Sequence, residues 1–120
     1  MFEITWKPDG LMCIFSGVLS GSELNRAFLA IEECAWLDSL RYLILDCDGI
    51  YKLNTSDSEL EFIATRANVA LQRNRLIKIA LVGRNSLTSG FVESFNACSY
   101  SKAKAINFNT ASAARKYIDT

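Results

Sequence analysis

Apolar and polar residues alternate over Phe2-Glu3-Ile4-Thr5-Trp6-Lys7, the period-two pattern of a strand with one buried face. Pro8-Asp9-Gly10 follows as a turn, with proline setting the first corner and glycine accepting positive φ. Leu11 to Val18 reads as a second strand, and so short a connection makes the pair an antiparallel hairpin. The period then changes. Ser20 stands three before Glu23, a capping-box spacing, and Leu24, Ala27, Phe28 and Ile31 recur at helical intervals to about Ala35. Arg41 to Asp46 is a third strand whose unbroken apolar run predicts burial on both faces, in the middle of a sheet. Ser56 and Glu59 repeat the capping pair, opening a helix that carries Leu60, Ile63, Ala67, Ala70 and Leu71 to about Arg73.

Ile77 to Val82 is a fourth strand, closed by Gly83. Ser86 caps a third helix with Leu87, Phe91, Phe95 and Cys98 on one side. Ala103 to Phe108 is a short fifth strand, and Thr110 caps a last helix with Ala114, Tyr117 and Ile118 turned inward. The expected fold is therefore an α/β layer domain spanning residues 1–120. It has a five-stranded mixed sheet, four helices and the order β-β-α-β-α-β-α-β-α. The first strand is antiparallel at an edge, and the others are parallel with right-handed crossovers.

Composition narrows the function. Half of the 120 residues are hydrophobic, enough for a core. Thirteen basic residues balance thirteen acidic ones, which supplies no field for a phosphate backbone and argues against nucleic acid as a partner. There is no histidine, so the commonest general base and the histidine-based triads are missing. Neither a P-loop nor a dinucleotide glycine motif occurs, and Gly17 and Gly21 read as turn residues. No cofactor and no enzymatic activity are expected. Cys13, Cys34, Cys47 and Cys98 lack C-x-x-C spacing and read as buried hydrophobes. With no secretory signal and no apolar run of membrane-spanning length, the expected location is the cytoplasm.

The remaining polar features are weak. Asp46 and Asp48 lie two apart at the carboxyl end of the central strand, where ligands of open parallel sheets gather. Their structural reading is that they bind loop amides. Arg84, Lys102 and Lys104 form a small basic cluster, while Glu32-Glu33 and Glu59/Glu61 read as solvated helix faces. Trp36, Tyr51, Lys52 and Tyr100 fall in predicted loops.

The stretch Leu45-Asp46-Cys47-Asp48-Gly49-Ile50-Tyr51-Lys52-Leu53-Asn54-Thr55-Ser56 is more informative. It resembles the STAS superfamily of anti-sigma-factor antagonists. Their central strand ends in Leu-Asp, continues through a Gly-Val turn, and reaches Ile-Asp-Ser-Ser-Gly-Leu at the head of a helix. Asp46 takes the strand-end Asp place, Gly49-Ile50 the Gly-Val, and Leu53-Asn54-Thr55-Ser56 the Ile-Asp-Ser-Ser. Asp57-Ser58-Glu59 stands where the family has Gly-Leu-Gly. The whole chain resembles the SpoIIAA-like group of that superfamily, whose fold is related to the CRAL-TRIO lipid-transfer domains.

The resemblance implies a regulatory, protein-binding domain. Its surface would comprise Asp48, Tyr51, Asn54, Thr55 and Ser56, and its partner an anti-sigma factor or a serine kinase. By this register the phosphorylated serine falls on Ser56, whose reading from the residues alone is a helix cap. The alternative it implies is a carrier of an apolar small molecule or lipid, with a pocket between sheet and helices at Phe28, Phe62, Phe91 and Phe95. Separately, Phe2, Ile4 and Trp6 on an edge strand, together with zero net charge, predict a homodimer.

Overall fold

The computed structural model describes residues 1–71, 74, 76–84, 86–97 and 104–120. The elements run β1 (Phe2–Trp6), β2 (Gly10–Ser20), α1 (Gly21–Glu32), a 3-10 turn (Leu37–Ser39), β3 (Tyr42–Asn54), α2 (Asp57–Leu71), β4 (Lys78–Val82), α3 (Ser86–Asn96), β5 (Ala105–Phe108) and α4 (Ala111–Ile118). Strand and helix order match the expected alternation. The sheet is ordered β1-β2-β3-β4-β5, with β1 antiparallel to β2 and every later pair parallel. The predicted Ala103 start of β5, and the positions of Cys98, Tyr100, Lys102 and Arg73, lie outside the described residues.

Strand order fixes where the helices go. Each crossover steps one strand in the same direction, so crossovers of one hand deliver their helices to one face. Accordingly the larger core joins Leu11, Cys13, Phe15, Leu43, Leu45, Ile79 and Leu81 of the sheet to residues of α1, α2 and α3. The opposite face receives only α4. Its smaller core holds Tyr42, Ile44, Ala80, Val82 and Ala114, with Met12, Phe108 and Ile118 packed beside them. β3 is third of five strands and buried on both sides from Tyr42 to Leu45, as its unbroken apolar run predicts.

Three predicted caps form. The hydroxyls of Ser20, Ser56 and Thr110 each accept from the backbone N–H three residues on, at 3.1 Å. The glutamates of the two capping boxes are used otherwise. Glu23 pairs with the Met1 amino group, and the Glu59 carboxylate accepts the Thr55 hydroxyl at 2.5 Å.

Several expectations need correcting. α1 stops at Glu32 rather than near Ala35, and the chain then turns through the 3-10 segment. Asn74, buried, holds that segment by donating to the carbonyls of Leu37 and Leu40 at 2.8 and 2.7 Å. Glu32 is not a solvated carboxylate. It takes a bidentate fork from Arg66 of α2, with Nε to Oε1 and Nη2 to Oε2 both at 3.0 Å, while Arg66 Nη1 reaches Asn25 Oδ1. That pair ties α1 to α2 across half-buried surface, a geometry in which an arginine fork is specific.

Candidate functional site

β2 and β3 are far longer than their neighbours. β4 pairs with β3 only as far as Asp46↔Val82, and β1 pairs with β2 only as far as Phe2↔Phe15. Beyond those points and the Met1–Ser16 backbone bonds, β2 and β3 continue alone, from Gly17↔Ile50 to Ser20↔Asn54, as a two-stranded ribbon at the carboxyl end of the sheet. The stretch Asp48 to Asn54, expected to be loop, is therefore strand. Its alternation was obscured by irregular register, with shifts between Ile14 and Ser16 and between Gly17 and Val18. At the second shift Tyr51 is the extra residue of β3, and Gly17 across from it has φ 78°, a conformation that glycine adopts without strain.

The candidate residues are spread along the ribbon and the start of the helix that follows it. Tyr51 is 88% exposed on the ribbon's outer surface. Asp48 is exposed, and its carboxylate meets Arg84 Nη2 at 3.3 Å, after β4. The Asp48 backbone N–H donates to Asp46 Oδ1 at 3.1 Å. These two carboxylates are thus engaged by an amide and a guanidinium, and no metal-ligating cluster occurs among the described residues. Arg84 is drawn to Asp48, whereas Lys104 Nζ donates to the Asn96 carbonyl, so these two members of the supposed basic cluster have separate partners.

Past Asn54 the chain enters α2. Thr55 is half-buried against α1, while Ser56 is exposed at the helix start. The first turns of α1 and α2 touch here. A Cβ on Gly21 would meet Glu59 Oε1 at 1.4 Å and Thr55 Oγ1 at 2.7 Å, so the bare glycine at the head of α1 lets Thr55 and Glu59 lie over it. Sequence reading assigned Gly21 to a turn. Its work is this close approach, and only the pairing of two capped helix starts could have signalled it.

Beneath the ribbon lies a small apolar cavity of about 20 Å³. Its walls include Phe15, Leu19, Phe28, Cys47, Ile50, Leu53, Leu60 and Phe91. In those walls the Phe28 and Phe91 rings lie 5.3 Å apart, tilted by 31°. Phe95 is buried but outside this lining, and Phe62 is 63% exposed with the Arg66 guanidinium over its ring. The four phenylalanines therefore do not enclose one pocket. A void this size matches one water molecule rather than a lipid chain. Burial pushes the Cys13 and Cys47 thiols up to about 12, so both stay protonated at neutral pH and act as apolar filling.

The architecture has clear counterparts among solved structures. The unphosphorylated form of the anti-sigma factor antagonist SpoIIAA superposes with a TM-score of 0.68 at 9% identity, covering 99% of this chain and 98% of that one. The phosphorylated form of the Bacillus cell-fate determinant SpoIIAA gives 0.66 at 8%, covering 98% and 99%. The fold is SpoIIAA-like. A DUF3478-family protein from Shewanella loihica PV-4, described as having that fold, gives 0.62 at 13%, covering 98% and 92%. No family model and no curated protein sequence matches the chain. The SpoIIAA-like fold places the Ser56 edge at the carboxyl ends of the parallel strands, where loops and helix starts converge. No helix among the described residues is long and apolar enough to cross a membrane.

Proposed function

We propose that the chain is a non-enzymatic regulatory domain that docks a partner protein on the edge formed by Asp48, Tyr51, Asn54, Thr55 and Ser56. The supporting observation is that Tyr51 is exposed on the ribbon that leads into α2, where the Ser56 hydroxyl is exposed at the helix start. An aromatic anchor rimmed by hydroxyls and helix amides suits protein recognition. Phosphate on Ser56 would gate that docking, since the amino end of α2 favours an anion while Asp57 and Glu59 limit the charge it tolerates. By likeness to anti-sigma factor antagonists, the partner is an anti-sigma factor or a serine kinase, met in the cytoplasm.

Pull-downs from native extract with wild type, Ser56→Ala and Ser56→Asp test this reading. Ser56→Asp should lose or exchange a partner that wild type and Ser56→Ala retain. Identical recovery by all three refutes the gate. Recovery unchanged by Tyr51→Ala refutes the surface.

The carrier reading has as its support a cavity lined by apolar side chains apart from Thr88. Admitting a chain-like ligand would require α1 to α3 to part from the sheet, because the void is only about 20 Å³. Native mass spectrometry of freshly purified protein separates the two readings: a retained small molecule would favour the carrier.

A further inference from the structure

The free edge of β1 has a definite hydrogen-bonding phase. Met1 and Ser16 exchange a pair of backbone bonds, and the Lys7 N–H donates to the Gly10 carbonyl. With the register Phe2↔Phe15 through Trp6↔Leu11, the odd residues of β1 are the ones bonded to β2. The N–H and C=O groups of Phe2, Ile4 and Trp6 therefore point away from β2, on the side of β1 where no strand pairs among the described residues. Their side chains lie on the three-helix face, where Phe2 and Ile4 pack on the core. Trp6 is 43% exposed and shares a surface groove with Lys7, Pro8, Trp36, Ser39 and Leu40, in which Trp36 is 67% exposed.

Such an edge invites another strand. Its charges say which. Glu3 and Lys7, both exposed, are the charges carried along this stretch, four residues apart with Thr5 midway. An antiparallel copy centred on Thr5 sets each Glu3 opposite a Lys7, in the closely approached non-hydrogen-bonded positions where cross-strand pairs interact best. The same register bonds Ile4 to the partner's Trp6, and Trp6 to the partner's Ile4, through the outward amides. A register centred on Ile4 would offer more backbone bonds but would face Glu3 with threonine.

We propose that β1 is the seam of a two-fold homodimer, centred on Thr5, in which Glu3 of each copy faces Lys7 of the other and the five-stranded sheets join into one. On the three-helix face of the joined sheet the partner's Ile4 then lies beside Trp6. The closed two-fold contact uses the same patch on both copies. None of its residues belongs to the Ser56 edge, so it stands whether or not that reading does.

Sedimentation equilibrium between about 1 and 100 μM tests the seam. Wild type should show the mass of two chains within that range. Glu3→Lys sets lysine against lysine twice and should weaken association about tenfold or more. The double variant Glu3→Lys/Lys7→Glu restores opposite charges in the same register and should recover the wild-type affinity. Both positions are exposed, so the folded monomer survives these changes, and circular dichroism checks it. A single-chain mass throughout overturns the proposal and leaves the edge for a strand of another protein. A dimer indifferent to Glu3→Lys, or one the double variant fails to restore, overturns the register.

Discussion

The two faces of this sheet are built from the same strands yet covered very differently. One face lies under three helices of 12, 15 and 11 residues, and the other under α4 alone, with 8. Along β3 the side chains alternate between them, Leu43 and Leu45 to the first and Tyr42 and Ile44 to the second. On the three-helix face, buried residues touch neighbours held from several sides. On the α4 face, Ile14 of β2 and Ile106 of β5 remain 39% and 40% exposed, so the covering is a patch rather than a layer. Strand order alone, by sending every crossover helix to one side, thus divides the cover unequally between two faces of similar apolar character.

The largest expected effect tests that division directly. Leu45→Ala removes a side chain 2% exposed at the centre of the larger core and should cost about 3–5 kcal/mol. Ile44→Ala removes as much volume one residue earlier, but its cavity adjoins Met12 and the thin cover of α4, which can relax into it. Its cost should fall nearer about 2 kcal/mol. Denaturant melts of both variants give the difference. Equal costs, or a larger one for Ile44→Ala, would mean that the α4 face is packed as rigidly as the other.

A smaller effect concerns the cap of α2. Ser56→Ala should cost about 0.5–2 kcal/mol, lowering the whole melting transition, because α2 is bound into the larger core through Ile63, Ala67 and Leu71 and to α1 through Arg66 and Glu32. Calorimetry reads it. A melt within error of wild type would show that the Ser56 hydroxyl contributes nothing as a cap.

Most of the fold was legible from local pattern. The run Tyr42-Leu43-Ile44-Leu45 announced a strand covered on both sides, and the serine and threonine caps placed three helix starts correctly. The ribbon was not legible. Its register shifts break the alternation that marks a strand, and Asp48-Gly49 reads locally as a turn. Phe62 misled for a related reason. In α2 the buried positions are Ile63, Ala64, Ala67, Asn68 and Leu71, and Phe62 falls outside that stripe, covered by Arg66 rather than by the core. Glu32 looked solvated because its partner is 34 residues away, a separation that no local pattern encodes. The candidate edge rests on the resemblance of residues 45–56 to a family motif, whereas the meeting of Gly21 with Thr55 and Glu59 depends on two helices whose approach is purely tertiary.

The smallest expected effect is also the most local. α4 has eight residues, below the length of about 12–15 at which a helix is even marginal alone, so it persists through Ala114, Ile118 and its Thr110 cap. It should therefore open by itself, at a free energy below that of the whole molecule. Thr110→Ala removes a cap worth about 0.5–2 kcal/mol and should speed hydrogen exchange of the α4 amides from Ala114 to Ile118 by about 2- to 30-fold. Amides of α2 that exchange only on global unfolding can accelerate by no more than the same factor, and they should stay slower than those of α4 in both proteins, because opening α4 leaves the three-helix core intact. Exchange measured by NMR on the intact chain reads both sets. If the α4 amides exchange as slowly as those of α2 in the wild type, the two faces unfold as one unit and the thinly covered side is no weaker than the other.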